Sequence, residues 1–256
     1  MVISAIILDL DGTVLCSDKS ISAYTLDVLE RCKAQNIKII VATARSETAA
    51  KQHLVKINPD AVISNGGALV RCNGKPIYTA PLPAKTADTI ISAVIQLPNY
   101  LEMTVETAQG YYVSYQPEDS GDYSHAIYHD FSMPLSQDAY KITVKLSNNN
   151  GLQAVADNFP QCCLIPFSGE CWYRFANKHA TKMIAIKEMA EHYGFAVSQI
   201  AAFGDDYNDE EMLRQCGIGV AMANGVSLVR KSADYICDTN DNDGVAKWLE
   251  SYVLQA

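Results

Sequence analysis

The chain is predicted to adopt an α/β fold in which a Rossmann-like parallel-sheet core carries an inserted α+β domain. Three features carry that expectation. Apolar runs near both ends of the chain are continuous rather than alternating, as in strands covered on both faces by helices. Segments of helical periodicity separate those runs. Between Leu82 and Asn177 the pattern changes to paired strand-like segments joined by turn residues.

Taken in order, Ile3 to Leu8 reads as a strand, and Ser22 to Gln35 as a helix with Thr25, Val28, Leu29 and Cys32 on one face. A strand over Ile37 to Ala42, a helix over Glu47 to Lys56 and a strand over Ala61 to Ser64 complete a βαβαβ run. Pro81 and Pro83 then punctuate the chain. A helix from Lys85 to Gln96 follows, with strand-like LEMTVET, YYVSYQ and KITVKLS, a short helix from Gly151 to Asn158, and the pair CCLIPFS and CWYRFA around Gly169. The βα grammar resumes with a helix from Lys182 to Tyr193, a strand over Ile200 to Phe203 and a helix over Asp209 to Cys216. Strands over Gly219 to Met222 and Tyr235 to Cys237 and a helix from Gly244 to Leu254 close the chain. The expected domains are therefore 1–81 with 178–256 as the core and 82–177 as the insert.

Composition narrows the function classes. With 48% hydrophobic and 19% charged residues the 256-residue chain has the profile of a soluble globular protein. A formal net charge of −9 opposes non-specific binding to nucleic acid or to an acidic membrane, yet leaves room for a small anionic substrate. The start of the chain runs directly into a strand pattern, and no apolar stretch approaches membrane-spanning length, so a cytoplasmic location is expected. The eight cysteines form no CxxC pair and suit a reduced interior better than a zinc site or disulfides.

In a parallel sheet all carboxyl strand ends share one edge, so residues following distant strands meet there. Here Asp9 and Asp11 follow the first strand, Thr43, Ala44 and Arg45 follow the second, and GDDYND (Gly204 to Asp209) follows a late one. Carboxylates converging in one crevice repel one another unless a divalent cation lies between them, and a hard oxygen donor set suits Mg²⁺. Such residues point to metal-assisted chemistry at phosphate.

The same residues resemble the motifs of the haloacid dehalogenase superfamily of phosphohydrolases, in its Cof-type branch with a large α/β cap inserted mid-chain. DLDGT (Asp9 to Thr13), VATAR (Val41 to Arg45), Lys182 at the head of a helix and GDDYND are similar to its four motifs in order, and ISNGGALV and GVAMANG to further signatures. Met183 and Ala44 stand where the family more often has glycine, and Lys178 is a nearby rival to Lys182. The resemblance implies that Asp9 is a nucleophile forming an aspartyl-phosphate and Asp11 a general acid and base. It further implies that Asp9, the carbonyl of Asp11 and Asp205 hold Mg²⁺, and that Thr43, Ala44, Arg45, Lys182 and Asn208 contact the phosphorylated substrate. Gly12 and Asp209 would support the site, and Asp206 would stand in the metal shell or at a helix cap.

The implied activity is Mg²⁺-dependent hydrolysis of a small phosphorylated metabolite, such as a sugar phosphate, by a monomer or weak homo-oligomer. Phosphotransfer of the mutase type and non-catalytic ligand binding are the alternatives. The insert would act as the cap, with Glu106, Tyr111, Tyr112, His125, His129 and Arg174 as candidate contacts.

Overall fold

The computed structural model describes residues 3–117, 124–167 and 171–255. The chain forms two compact units, one from the residues up to Tyr78 together with those from Thr181 onward, the other from Thr79–Ala180.

In the first unit β1 (Ala5–Leu8), α1 (Ala23–Ala34), β2 (Lys38–Ala42), α2 (Glu47–Ile57) and β3 (Ala61–Ser64) follow one another as the apolar pattern requires. Two further strands, β4 (Leu69–Cys72) and β5 (Lys75–Thr79), form a hairpin that the periodicity reading did not separate. Its signal is the Asn73-Gly74 turn, in which both residues have positive φ, 49° and 74°. The second unit contains α3 (Ala84–Ile95), β6 (Tyr100–Thr107), β7 (Tyr111–Val113), β8 (Ile127–Tyr128), β9 (Ala139–Leu146), α4 (Leu152–Asp157), β10 (Cys162–Pro166) and β11 (Trp172–Asn177). The turn around Gly169 lies outside the described residues. The chain then returns to the first unit with α5 (Lys182–Tyr193), β12 (Ile200–Gly204), α6 (Glu210–Gln215), β13 (Ile218–Met222), α7 (Ser227–Ser232), β14 (Tyr235–Cys237) and α8 (Gly244–Leu249). The expected closing helix is α-helical only to Leu249 and continues as a π-helical turn over Glu250–Leu254.

The first unit's sheet has the order β14-β13-β12-β1-β2-β3-β4-β5. Its pairs from β14 to β3 are parallel, and β3 pairs with β4 antiparallel. Successive residues of β1 enter opposite cores: Ile6 and Leu8 pack with Val28, Leu29, Phe203 and Trp248, whereas Ala5 and Ile7 pack with Met183, Ile186 and Met189 of α5. Both faces are thus covered, which is why these strands are apolar at every position. Helix starts are set locally. The side chains of Ser22, Ser46 and Thr181 each accept a hydrogen bond from a first-turn amide of α1, α2 and α5, and Gly194 ends α5 at φ 77°.

The second unit's sheet has the order β10-β11-β9-β6-β7-β8. One face supplies Met103, Val105, Ile142, Val144 and Phe175, which pack on Ile90, Ile91 and Val94 of α3 and Leu152 of α4. On the other face the central strands carry polar side chains, among them Glu102, Thr104, Glu106, Thr143 and Arg174, with Val113 and Ile165 flanking them. No helix among the described residues is long and apolar enough to cross a membrane.

Candidate active site

Three carboxyl strand ends of the parallel sheet converge. The amide of Asp9 donates to the carbonyl of Phe203 at 3.1 Å, which carries the β1–β12 pairing one residue beyond β1 and sets Asp9 beside the start of GDDYND. The side chain of Lys182, in the first turn of α5, lies between two acids: its Nζ donates to Asp9 Oδ1 and to Asp209 Oδ1, both at 2.6 Å. All three residues are buried. Lys178, the rival, lies in the second unit, where its amide donates to the carbonyl of Gln161 at 3.0 Å.

The position of Lys182 depends on a glycine. Asn65–Gly67 forms a single turn packed on the start of α5, and a Cβ on Gly67, whose φ is 106°, would stand 2.2 Å from the carbonyl oxygen of Thr181. The NGG of ISNGGALV therefore permits the close approach that brings the lysine to Asp9.

The fourth-motif loop is tied from within and from outside. Asp209 Oδ2 accepts the amides of Asp205 at 3.0 Å and Asp206 at 3.1 Å. A Cβ on Gly204 would meet the Asp209 Cβ at 2.5 Å. Asp205 Oδ1 accepts from the Thr13 hydroxyl at 2.7 Å, and its carbonyl accepts the Val226 amide at 2.8 Å. Gly12 turns the chain at φ 76° where a Cβ would lie 2.2 Å from Asp205 Oδ2. Asn224, from GVAMANG, donates to the Gly12 carbonyl at 2.8 Å and accepts the Asn240 amide at 3.0 Å. Thr13 and Asn224 thus have positioning roles that the motifs contained but residue type alone did not reveal.

Each of Asp9, Asp205 and Asp209 offers a carboxylate oxygen within 4.8 Å of the other two. Burial is the main reason that the Asp9 carboxyl rises well above its usual pKa; the Lys182 ammonium opposes the rise, and Asp209 and Asp205 add to it. Burial also takes Asp205 up to about 7, against the Thr13 hydrogen bond and with further repulsion from Asp209. Lys182 is pulled down by burial, but Asp209 and Asp9 more than reverse this and raise it. Buried hard oxygen donors that repel one another fit a divalent cation. Both oxygens of Asp209 are engaged with Lys182 and backbone amides, so Asp9 and Asp205 are the better direct ligands and Asp209 a positioning residue. The carboxylate of Asp11 is not in this group; its expected part was through the backbone carbonyl.

Asp11 points into a different set of charges. Arg45 Nε donates to its Oδ2 and Arg45 Nη2 to its Oδ1, both at 2.7 Å, and Lys19 Nζ adds a third bond at 2.8 Å. Burial would raise the Asp11 carboxyl, but the Arg45 and Lys19 bonds together hold it down at about 2. Arg45, expected either at the substrate or as a scaffold residue, is here the forked partner of Asp11. Nothing in residue type or spacing signalled Lys19. Thr43 is buried, with its Oγ1 accepting the Arg45 amide at 3.1 Å, its amide donating to the Ile63 carbonyl at 2.8 Å, and half-buried Ala44 following in the same turn. Asn208 and Asp206 each keep a buried Oδ1 with no hydrogen-bond partner among the described residues.

The expected contacts in the second unit divide by sheet face. Tyr112 packs with the apolar cluster on the helix-covered face, and its hydroxyl accepts from Gln137 at 3.0 Å. His125 and His129 engage different rings, Tyr111 at 5.7 Å and Phe131 at 4.9 Å. Glu106 and Arg174 lie on the polar face.

Residues 6–249 match the family described as haloacid dehalogenase-like hydrolase. The Bacillus subtilis protein YitU, a 5-amino-6-(5-phospho-D-ribitylamino)uracil phosphatase, is 26% identical over 262 residues covering 96% of each chain. Among solved structures, the subclass IIB sugar phosphatase BT4131 superposes with a TM-score of 0.84 at 23% identity, over 97% of this chain and 98% of that one. The phosphatase BT1666 from Bacteroides thetaiotaomicron gives 0.83 at 23% identity, over 98% and 95%. Asp9, Thr43 and Asp205 follow strand ends, Lys182 opens a helix, and the family match extends across both units: the chain is an enzyme of the haloacid dehalogenase-like hydrolase family.

Proposed function

We propose that the chain is a Mg²⁺-dependent phosphatase of small phosphorylated metabolites, working through an aspartyl-phosphate on Asp9. The observation that carries this reading is the buried Asp9–Lys182–Asp209 network beside Asp205, which aligns one nucleophile and one cation and leaves repelling carboxylates for a metal to neutralise. The phosphatase names of relatives that align along nearly their whole length support it.

Asp9 and Asp205, with the Asp11 carbonyl, would hold Mg²⁺, which screens charge on the transferring phosphoryl group. A carboxylate oxygen of Asp9 attacks phosphorus, the ester P–O bond breaks, and the leaving oxygen takes a proton from Asp11. Water then attacks phosphorus of the acyl phosphate and loses its proton to Asp11, and inorganic phosphate and the Asp9 carboxylate are released. Lys182 and the Thr43 hydroxyl stabilise the non-bridging oxygens, and Asn208 Oδ1 receives a donor from the bound complex. Since Arg45 and Lys19 hold Asp11 ionised, one of them must give way before it carries a proton. The unit over Thr79–Ala180 would supply the cap and leaving-group recognition. Hydrolysis of p-nitrophenyl phosphate and a panel of phosphorylated metabolites, with and without Mg²⁺, tests the reading. Metal-dependent release of phosphate is expected, and its absence from every ester would overturn it.

A further inference from the structure

Four Asn-Gly pairs occur along the chain: Asn65-Gly66, Asn73-Gly74, Asn150-Gly151 and Asn224-Gly225. In such a pair the backbone amide of the second residue reaches the side-chain carbonyl of the first more readily than elsewhere, because glycine has no Cβ to obstruct the approach. Reaction needs two further conditions. The glycine nitrogen must be free of a hydrogen bond, and the asparagine side chain must be free to swing onto it.

The structure divides the four pairs into two kinds. In Asn65-Gly66 the asparagine is buried, and the Gly66 amide donates to the Thr43 carbonyl at 3.0 Å. In Asn224-Gly225 the Gly225 amide donates to the Met222 carbonyl at 2.9 Å, while the asparagine side chain is held at both ends, by the Gly12 carbonyl at 2.8 Å and the Asn240 amide at 3.0 Å. Both pairs lie in segments that build the candidate active site. Asn73-Gly74 and Asn150-Gly151 are exposed, and neither their glycine amides nor their asparagine side chains have a hydrogen-bond partner among the described residues. Asn73 stands at φ 49° in the turn between β4 and β5, the last strand of its sheet, and Asn150 stands just ahead of α4. Attack requires the asparagine backbone to rotate out of its turn, which exposed turns at sheet edges and helix starts allow by local opening.

We propose that Asn73 and Asn150 are sites of spontaneous deamidation, and that the fold protects Asn65 and Asn224 from the same reaction. The glycine nitrogen attacks Cγ of the asparagine and loses its proton, the Cγ–N bond of the side-chain amide breaks, and ammonia leaves a cyclic imide. Water then opens the imide at either carbonyl, giving aspartate or isoaspartate with one new carboxylate. The isoaspartate product carries an extra methylene in the backbone. At position 73 it disrupts the two-residue turn that joins β4 to β5. At position 150 it displaces a carbonyl that now accepts from Asn99 Nδ2 at 3.1 Å. The damage therefore falls away from the reacting strand ends, and it lowers stability.

The test incubates the full chain at mildly alkaline pH and follows each pair by tryptic peptide mass spectrometry, with isoaspartyl methyltransferase labelling to count the isoaspartate product. Asn73 and Asn150 should each gain the mass difference between an amide and an acid at least about tenfold faster than Asn65 and Asn224. In urea the fold no longer discriminates, and the four rates should converge to within about threefold. Asn73→Gly, which suits a left-handed turn position, should abolish labelling there and leave the rate at Asn150 unchanged. The melting temperature of the native protein should fall as the two sites convert, and that of the double variant Asn73→Gly, Asn150→Ser should hold over the same time. Native rates at Asn65 or Asn224 equal to those at Asn73 and Asn150 would overturn the proposal. So would an unmodified native chain beside an unfolded one modified at all four pairs, or an equal fall in melting temperature in the double variant. Conversion of only one of Asn73 and Asn150 would overturn the assignment of the other.

Discussion

Buried charge is handled in opposite ways in the two sheets. At the edge of the parallel sheet the ionic side chains are already interlocked: Lys182 between Asp9 and Asp209, Asp11 between Arg45 and Lys19, Asp205 under the Thr13 hydroxyl. On the polar face of the second sheet, Lys141 pairs with Glu106 and Lys145 with Glu102 across strands, and the buried Nε of Arg174 has no hydrogen-bond partner among the described residues. The contrast separates charge that is fixed by its neighbours from charge that is not. A group that must act on any ester is held in place before the ester arrives.

Four changes would break or sharpen that contrast. Asp9→Asn strikes the prebuilt network at its reacting atom; turnover should fall by about 10⁴-fold or more while circular dichroism stays native, because an amide keeps the shape but is no nucleophile. Gly67→Ala attacks the same network through backbone alone. The new Cβ meets the Thr181 carbonyl, so a loss of about 2–4 kcal/mol in urea unfolding is expected together with a drop in kcat as Lys182 is displaced. For Asp205→Ala, the Mg²⁺ concentration giving half-maximal rate should rise by about tenfold or more; an unchanged titration would remove Asp205 from the metal shell. The mildest change is Glu102→Gln on the second sheet. Its pair with Lys145 is about one-third exposed on both sides, so stability should move by less than about 1 kcal/mol and substrate ranking should not change.

The sequence made the cluster at the sheet edge legible because its candidate groups are contiguous with strand ends. Asp9, Asp11, Thr43 and Asp205 could be placed by knowing only that parallel strands finish at one edge, and Lys182 by the helix it begins. The continuous apolar runs likewise revealed the α/β sheet. What stayed hidden depends on register or on clearance between backbones. That Arg45 and Lys19 meet on Asp11 follows from loop geometry. That Gly67 faces Thr181 follows from packing across 114 residues of chain (181 − 67). Tyr112 and Arg174 belong to strands of similar composition, and only the pairing of β6 with β7 and of β9 with β6 and β11 shows one on the helix-covered face and the other among polar side chains. The β4–β5 hairpin was readable in principle from Asn73-Gly74, but short apolar runs flank it on both sides and blur its strands.

The division of the first unit into two stretches of chain has a consequence for biosynthesis. β1 pairs with β2 on one side and with β12 on the other, and the Thr13–Asp205 bond joins residues 192 positions apart. At ordinary translation speeds that distance is on the order of 10–40 s of ribosome time. During this interval the AIIL strand keeps one apolar edge unpaired, a template for wrong partners. The intervening segment Thr79–Ala180 is continuous and needs nothing downstream to complete its own sheet. The intervening unit can therefore complete its own sheet while β1 still waits for β12, and a polypeptide cut short before Ile200 lacks the strand that sets Asp9 beside Asp205.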